Sequence, residues 1–151
     1  MQHSGAPPGG FPLPPRVAAL FGQPIIVVNQ MALSREPWAS VREEAAQLIN
    51  AMGQCSAIAQ GLVGRNGPNP ITVVNQLGET DARVYILAQQ EPGKPPVAVG
   101  LLKIGYKSLF HFDGHGRARE LPRQLSVLDF YVHEAWQRGG YGKTPPIALT
   151  I

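Results

Sequence analysis

One apolar stripe constrains this chain more than any other feature. Val41, Ala45, Leu48, Met52, Cys55, Ala59 and Leu62 follow one another at gaps of four, three, four, three, four and three. Residues three and four apart share a face of an α-helix, so all seven fall on one line along it. An amphipathic helix is marginal alone and needs an apolar surface to cover. Cys55 lies on the stripe and reads as a core thiol rather than a nucleophile. Ser34 is the candidate cap, with Glu36 and Pro37 in the first turn. Gly53 weakens the helix by roughly 1 kcal/mol and predicts a bend. Gly61 and Gly64 end it.

Strands supply the surface. Pro24–Gln30 contains four consecutive β-branched residues between Pro and Asn, apolar on both faces, which predicts a covered strand. Arg83–Ala88 and Val97–Tyr106 flank the turn Glu91–Pro96 and read as a β-hairpin. Leu125–His133 is a further strand. Ser108–Phe112 extends the pairing or ends it. Asn66–Pro70 and His111–Arg119 read as loops. Ile71–Leu77 fits a short helix or a strand. A long helix with several separate strands makes the expected class α+β.

Composition sets the outer limits. The 151 residues suit one domain. Met1–Pro15 holds five Pro and three Gly without apolar periodicity, so residues 1–20 are expected to be a flexible tail. The sequence has no secretory pattern and no apolar run of about 20 residues, which predicts a soluble, intracellular protein with no membrane partner. One cysteine excludes an internal disulfide and a cysteine-based zinc site. His111, Asp113 and His115 lack companion ligands, so no metal is expected.

Charge is uneven. Residues 1–93 carry five Lys/Arg and six Asp/Glu; residues 94–151 carry eight and four. The basic half attracts an anionic partner: nucleic acid, an acidic protein surface or a phosphorylated cofactor. No RNA- or DNA-binding motif is present, so nucleic acid is not expected. Lys103 and Lys107 fit a basic docking surface or a solvated face equally well. His133 reads as structural or pocket-lining. Asp129 is the one carboxylate in the last strand and reads as hydrogen-bonded and buried. Trp136 reads as a packing anchor.

The chemistry gathers directly after that strand, at Gln137-Arg138-Gly139-Gly140-Tyr141-Gly142-Lys143. Gly140 and Gly142 permit close backbone approach. Successive N–H groups can then face phosphate oxygens, and Arg138 and Lys143 add positive charge. Alone, such a turn is a weak signal; its place after a strand in the basic half strengthens it.

Gln137, Gly140 and Gly142 match the Gln/Arg-x-x-Gly-x-Gly/Ala pyrophosphate motif of the GNAT acetyltransferases. More narrowly, the sequence resembles the α-tubulin N-acetyltransferases from about Phe21 to Lys143. The likeness rests on Gly53–Gln60, Val84–Leu87, Gly100–Phe110 and Val127–Arg138. It implies a GNAT-like, mixed, mostly antiparallel sheet with the long helix on one face. It also implies acetyl-CoA as co-substrate and, as acceptor, a lysine of α-tubulin facing the microtubule lumen. Phe130, Tyr131 and Val132 would offer backbone to the pantetheine arm and thioester. The cofactor site would continue through His133, Glu134, Ala135 and Trp136 into Gln137–Lys143. Gln60 matches a glutamine important for activity, and Ser126 stands where the family has a cysteine beside the active site.

The resemblance implies three segments: the tail 1–20, a partial acetyltransferase domain 21–143 and a divergent tail 144–151. The family's catalytic aspartate lies beyond the pyrophosphate loop, and residues 144–151 do not match that region. The expected function is α-tubulin N-acetyltransferase. The alternative is a truncated, inactive form that binds tubulin or acetyl-CoA without turnover. A monomer in the cytoplasm, on microtubules or cilia, is expected.

Overall fold

The computed structural model describes residues 5–137. Its elements in chain order are β1 (Phe11–Pro12), α1 (Pro15–Ala18), β2 (Ile25–Asn29), α2 (Gln30–Leu33), a 3-10 turn (Ala39–Val41) and α3 (Arg42–Ala59). A two-residue pair, β3 (Val63–Gly64) and β4 (Gly67–Pro68), and a 3-10 helix (Val74–Thr80) follow. The chain then forms β5 (Arg83–Gln89), β6 (Val97–Phe112), β7 (Ala118–Val132) and the short α4 (Glu134–Trp136).

Every strand pairing is antiparallel. β5 lies between β2 and β6, and the other side of β6 carries β1 and then β7. Register sorts the side chains. Ile26, Ile86, Leu101 and Tyr131 are cross-strand neighbours, and Ile86, Leu101 and Tyr131 join the core with Ala45, Leu48, Met52 and Cys55 of α3. One residue along, Val27, Tyr85, Leu102 and Phe130 line the opposite face. There Val27 and Phe130 are exposed. The α3 side is therefore the covered one among the described residues.

The stripe is buried as far as Cys55. Val41, Ala45, Leu48, Met52 and Cys55 are buried, but Ala59 and Leu62 are exposed. Ala59 is the last residue of α3 and Leu62 lies beyond it, so both stand past the end of the packed face. Ile49, Gly53 and Ser56 are buried instead. Gly53 produces no break in α3; its role is contact. A Cβ there would run into the backbone carbonyl of Thr72.

Ser34 does not cap the long helix. Asn29 caps α2, its Oδ1 accepting the Ala32 N–H at 2.7 Å, and Ser34 closes the C-terminal end of that turn. The open segment resolves as an extended Thr72–Val73 followed by 3-10 helix.

The expected flexible tail is corrected over its described part. Phe11, Leu13 and Val17 are buried in the core, and β1 pairs with Val97 and Ala98. Phe11 meets the edges of Tyr131 and His133 at ring-centre distances of 6.3 and 5.9 Å. Three apolar side chains anchor a segment whose composition otherwise favours disorder.

The loop expected over His111–Arg119 is also corrected. β6 and β7 continue as a paired ribbon to Phe112 and Ala118. Asp113 closes its tip by accepting from the backbone N–H groups of His115 and Arg117 at 2.8 and 3.0 Å. This is a side-chain-capped turn, and it gives Asp113 a structural task. No cluster of three metal-ligating side chains occurs among the described residues.

Two stability predictions follow from this packing. Gly53→Ala should destabilise by about 1–3 kcal/mol through overpacking against Thr72, read by urea unfolding; an unchanged midpoint would refute the close approach. Phe11→Ala should cost about 3 kcal/mol or more, whereas a flexible tail would leave the midpoint unmoved.

Candidate functional site

Helix α3, the segment before the 3-10 helix, and strand β7 converge on one carboxylate. Asp129 is 4% exposed. Its Oδ1 accepts from Ser56 Oγ at 2.7 Å and from Gln60 Nε2 at 2.9 Å. Its Oδ2 accepts from Thr72 Oγ1 at 2.6 Å. Gln60 Nε2 also donates to Ser56 Oγ at 2.8 Å. A buried carboxylate is costly without partners, and these donors supply them.

Local structure explains the convergence. Ser56 and Gln60 lie four apart, one turn of helix, on the flank of α3 that also carries Ile49 and Gly53. Gln60 is the C-cap of α3, so its side chain stands at the rim. Gly53, one turn earlier, admits the Thr72 backbone and so brings Thr72 Oγ1 within reach of β7. A register shift between Lys103 and Ile104 leaves Leu128 unpaired. This bulge keeps Asp129 on the covered face, opposite Lys103.

Lys103 is buried, which corrects its reading as part of a basic surface. Its Nζ donates to the Ile71 carbonyl at 2.7 Å. Burial lowers its pKa, while the nearby Asp129 and Glu79 charges oppose that shift. Lys107 is exposed.

The strand end leads to the expected cofactor segment. Phe130, Tyr131 and Val132 pair with Leu102, Leu101 and Gly100 on one side. Among the described residues no strand pairs with the outer edge of β7. The Phe130 side chain is exposed; that of Tyr131 is buried, with no hydrogen-bond partner for its hydroxyl among the described residues. Burial pushes the Tyr131 phenol well above its ordinary range, and the neighbouring Cys55 and Glu134 act in the same direction. His133 Nδ1 accepts from the Ala135 N–H at 3.1 Å and so caps α4. His133 Nε2 lies 2.6 Å from the Pro7 carbonyl, and Trp136 Nε1 donates to the Gly9 carbonyl at 2.7 Å. Gln137 Nε2 donates to the Val132 carbonyl at 2.6 Å. Glu134 and Ala135 are exposed. The N-terminal segment therefore ties down the turn just before the Gly-rich loop. Arg138, Gly139, Gly140, Tyr141, Gly142 and Lys143 lie outside the described residues.

Ser126 stands apart from this cluster. It pairs with Gly105, and its hydroxyl donates to the Gln124 carbonyl at 3.1 Å.

The family is settled by the sequence model described as GNAT acetyltransferase, Mec-17, which matches residues 14–145. The chain belongs to that acetyltransferase family. It is 37% identical over 134 residues to alpha-tubulin N-acetyltransferase 1 of Drosophila melanogaster, covering 84% of this chain and 28% of that protein. It is 39% identical over 131 residues to an alpha-tubulin N-acetyltransferase of Aedes aegypti, covering 82% and 46%. A Tetrahymena thermophila protein of the same name is 45% identical over 101 residues, covering 67% and 23%. The chain thus spans less than half the length of these curated relatives. The sheet, antiparallel throughout its described pairings, is with its long helix consistent with the GNAT-like fold.

The acetyltransferase motif pointed to Gln60 and to the β7 end. Ser56, Thr72 and Asp129 as one unit were missed, although Ile49, Gly53, Ser56 and Gln60 repeat at gaps of four, three and four. That second stripe is the sequence signal, hidden because two of its members are not apolar.

Cys55 is buried. Burial raises its pKa above the ordinary 9.0, and the Glu134 charge adds to the shift. The thiolate is the reactive form, so iodoacetamide at pH 8 should label the folded protein slowly and the urea-unfolded protein fast. Equal rates would refute the assignment to the core. The sign of the linkage follows. Above pH 9.0 the unfolded thiol loses its proton before the folded one, so this contribution to stability declines as pH rises through the folded value.

Proposed function

We propose that this chain carries the front of an acetyl-CoA site. In the protein that it represents, that site transfers acetyl to the side-chain amine of a lumen-facing lysine of α-tubulin. The observation that carries the reading is the outer edge of β7, which pairs with no strand among the described residues. It runs directly into the Gly-rich segment Gln137–Lys143 and stands beside the Gln60 rim. The names of the relatives support the acceptor.

The residues present fit the co-substrate. A strand edge offers backbone donors and acceptors in a row, as an amide-containing arm requires. The exposed Phe130 adds apolar contact beside it. Gln137–Lys143 would hold the pyrophosphate through backbone N–H groups, with Arg138 and Lys143 adding charge. His133, Glu134, Ala135 and Trp136 shape the turn between the two.

Acetyl-CoA supplies an activated acyl group with a thiol leaving group. The lysine nitrogen forms the new C–N bond as the C–S bond breaks, and the amine must first lose its proton. β7 backbone N–H groups are the candidates to stabilise the developing oxyanion. Gln60 would orient the amine, and Ser126, at the family's cysteine position, would line the approach. The exposed Lys107, Arg117, Arg119 and Arg123 favour an acidic partner such as tubulin. This reading places the protein with the cytoskeleton.

Ligand-dependent unfolding tests the site. Acetyl-CoA at about 100 times its Kd should stabilise the chain by about 2.7 kcal/mol, and Gly140→Trp should remove that gain. Acetyl-lysine on α-tubulin after incubation with microtubules reports the transfer. An unfolding midpoint indifferent to acetyl-CoA would refute the site.

A further inference from the structure

An amide side chain has two ends of nearly equal size and opposite polarity, and its surroundings choose between them. Gln60 stands at the rim of the site, and its inner end meets two groups, Asp129 Oδ1 at 2.9 Å and Ser56 Oγ at 2.8 Å. Asp129 only accepts there. Ser56 has one proton, which it gives to Asp129 at 2.7 Å, so toward Gln60 it too can only accept. Two acceptors on the inside, themselves hydrogen-bonded to each other, require the NH2 end of Gln60 to point inward, with its inner proton shared between them. Its carbonyl Oε1 is then the outward atom.

Thr72 secures the arrangement from behind. Its Oγ1 donates to Asp129 Oδ2 at 2.6 Å, and Thr72 is fully buried. The carboxylate therefore cannot turn to present a different edge to Gln60. The Lys103 ammonium, hydrogen-bonded to the Ile71 carbonyl, adds favourable charge across the strand pair without touching Gln60.

We propose that Asp129 is a positioning residue that fixes the polarity of the Gln60 amide, so that the site offers a hydrogen-bond acceptor to a primary amine. A lysine amine bears N–H donors and is held by an outward oxygen. An outward NH2 would instead donate to the lone pair of the neutral amine, the pair that must form the C–N bond. The inference rests on the acetyl-transfer reading for its substrate, but not for the orientation of the amide.

The test is a polarity swap in the full chain. Asp129→Asn keeps the shape at position 129 and replaces one acceptor by a donor. Placed toward Gln60, that donor turns the Gln60 amide over, and amide hydrogen exchange reads whether it has. The double variant Gln60→Glu with Asp129→Asn restores an outward oxygen while keeping a donor–acceptor pair inside. With a lysine substrate, Asp129→Asn should lower kcat/KM by roughly 10- to 100-fold, with the KM for acetyl-CoA unchanged. The double variant should recover most of that loss. A merely structural aspartate predicts no such recovery. A folded double variant as poor as the single one would overturn the proposal, as would an Asp129→Asn variant of normal activity in which the Gln60 amide has turned over.

Hydrogen exchange of the Gln60 side-chain amide, read by 15N NMR, gives the answer without turnover. Its inward proton should be protected in the natural chain and lose that protection in Asp129→Asn. If the natural chain transfers no acetyl group, the transfer reading fails while this measurement still decides the orientation. If Asp129→Asn does not fold, the natural chain decides alone: freely exchanging Gln60 amide protons would overturn the proposal.

Discussion

At Gly53 the long helix has no side chain, and the carbonyl of Thr72 fills the space where one would stand. Much of the site depends on that single approach. It brings the segment before the 3-10 helix against α3, which puts the Thr72 hydroxyl on Asp129 and the Ile71 carbonyl on Lys103. Strand, helix and connecting segment meet around one buried carboxylate because one residue is small enough. The helix-propensity cost of glycine is repaid by tertiary contact, so the residue that weakens the helix locally also secures it globally.

The N-terminal segment performs a second act of anchoring. Composition alone gives it little to bury, yet Phe11, Leu13 and Val17 enter the core. Its carbonyls at Pro7 and Gly9 meet His133 and Trp136. The turn that precedes the Gly-rich segment is thus held from outside by chain more than 120 residues away in sequence. The two aromatic edges on Phe11 continue the same contact into the sheet. Cofactor positioning in this reading depends on residues with no motif of their own.

Local patterns were legible in the sequence, and long-range ones were not. β2 and β5 lie where their β-branched runs predict, and the stripe identifies α3 and its buried face up to Cys55. The start of α3 was misjudged because Ser34 serves a shorter turn that Asn29 begins. The N-terminal segment is invisible to a composition argument because its order rests on three apolar anchors among many Pro and Gly. The β6–β7 ribbon was cut short because its far half lacks the alternation of a half-buried strand: Lys107–Phe112 are exposed on both faces. Gln60 was visible through the family motif. Its partners were not, since Ser56, Thr72 and Asp129 are 16 and 57 positions apart in sequence order and share no pattern.

That ribbon divides β7 into two stretches with different tolerance for change in length. From Asp129 onward, phase is everything, because a slip of one residue would turn the carboxylate to the opposite face. Beyond Leu125 toward the tip no core face exists to record the phase. Irregularities at Leu128 and between Lys107 and Leu109 take up the mismatch between the two stretches. Insertions and deletions near the tip can therefore accumulate over evolutionary time without moving the chemistry. The ribbon is free to diversify in reach and charge for different partners, while the residues around Asp129 stay in step.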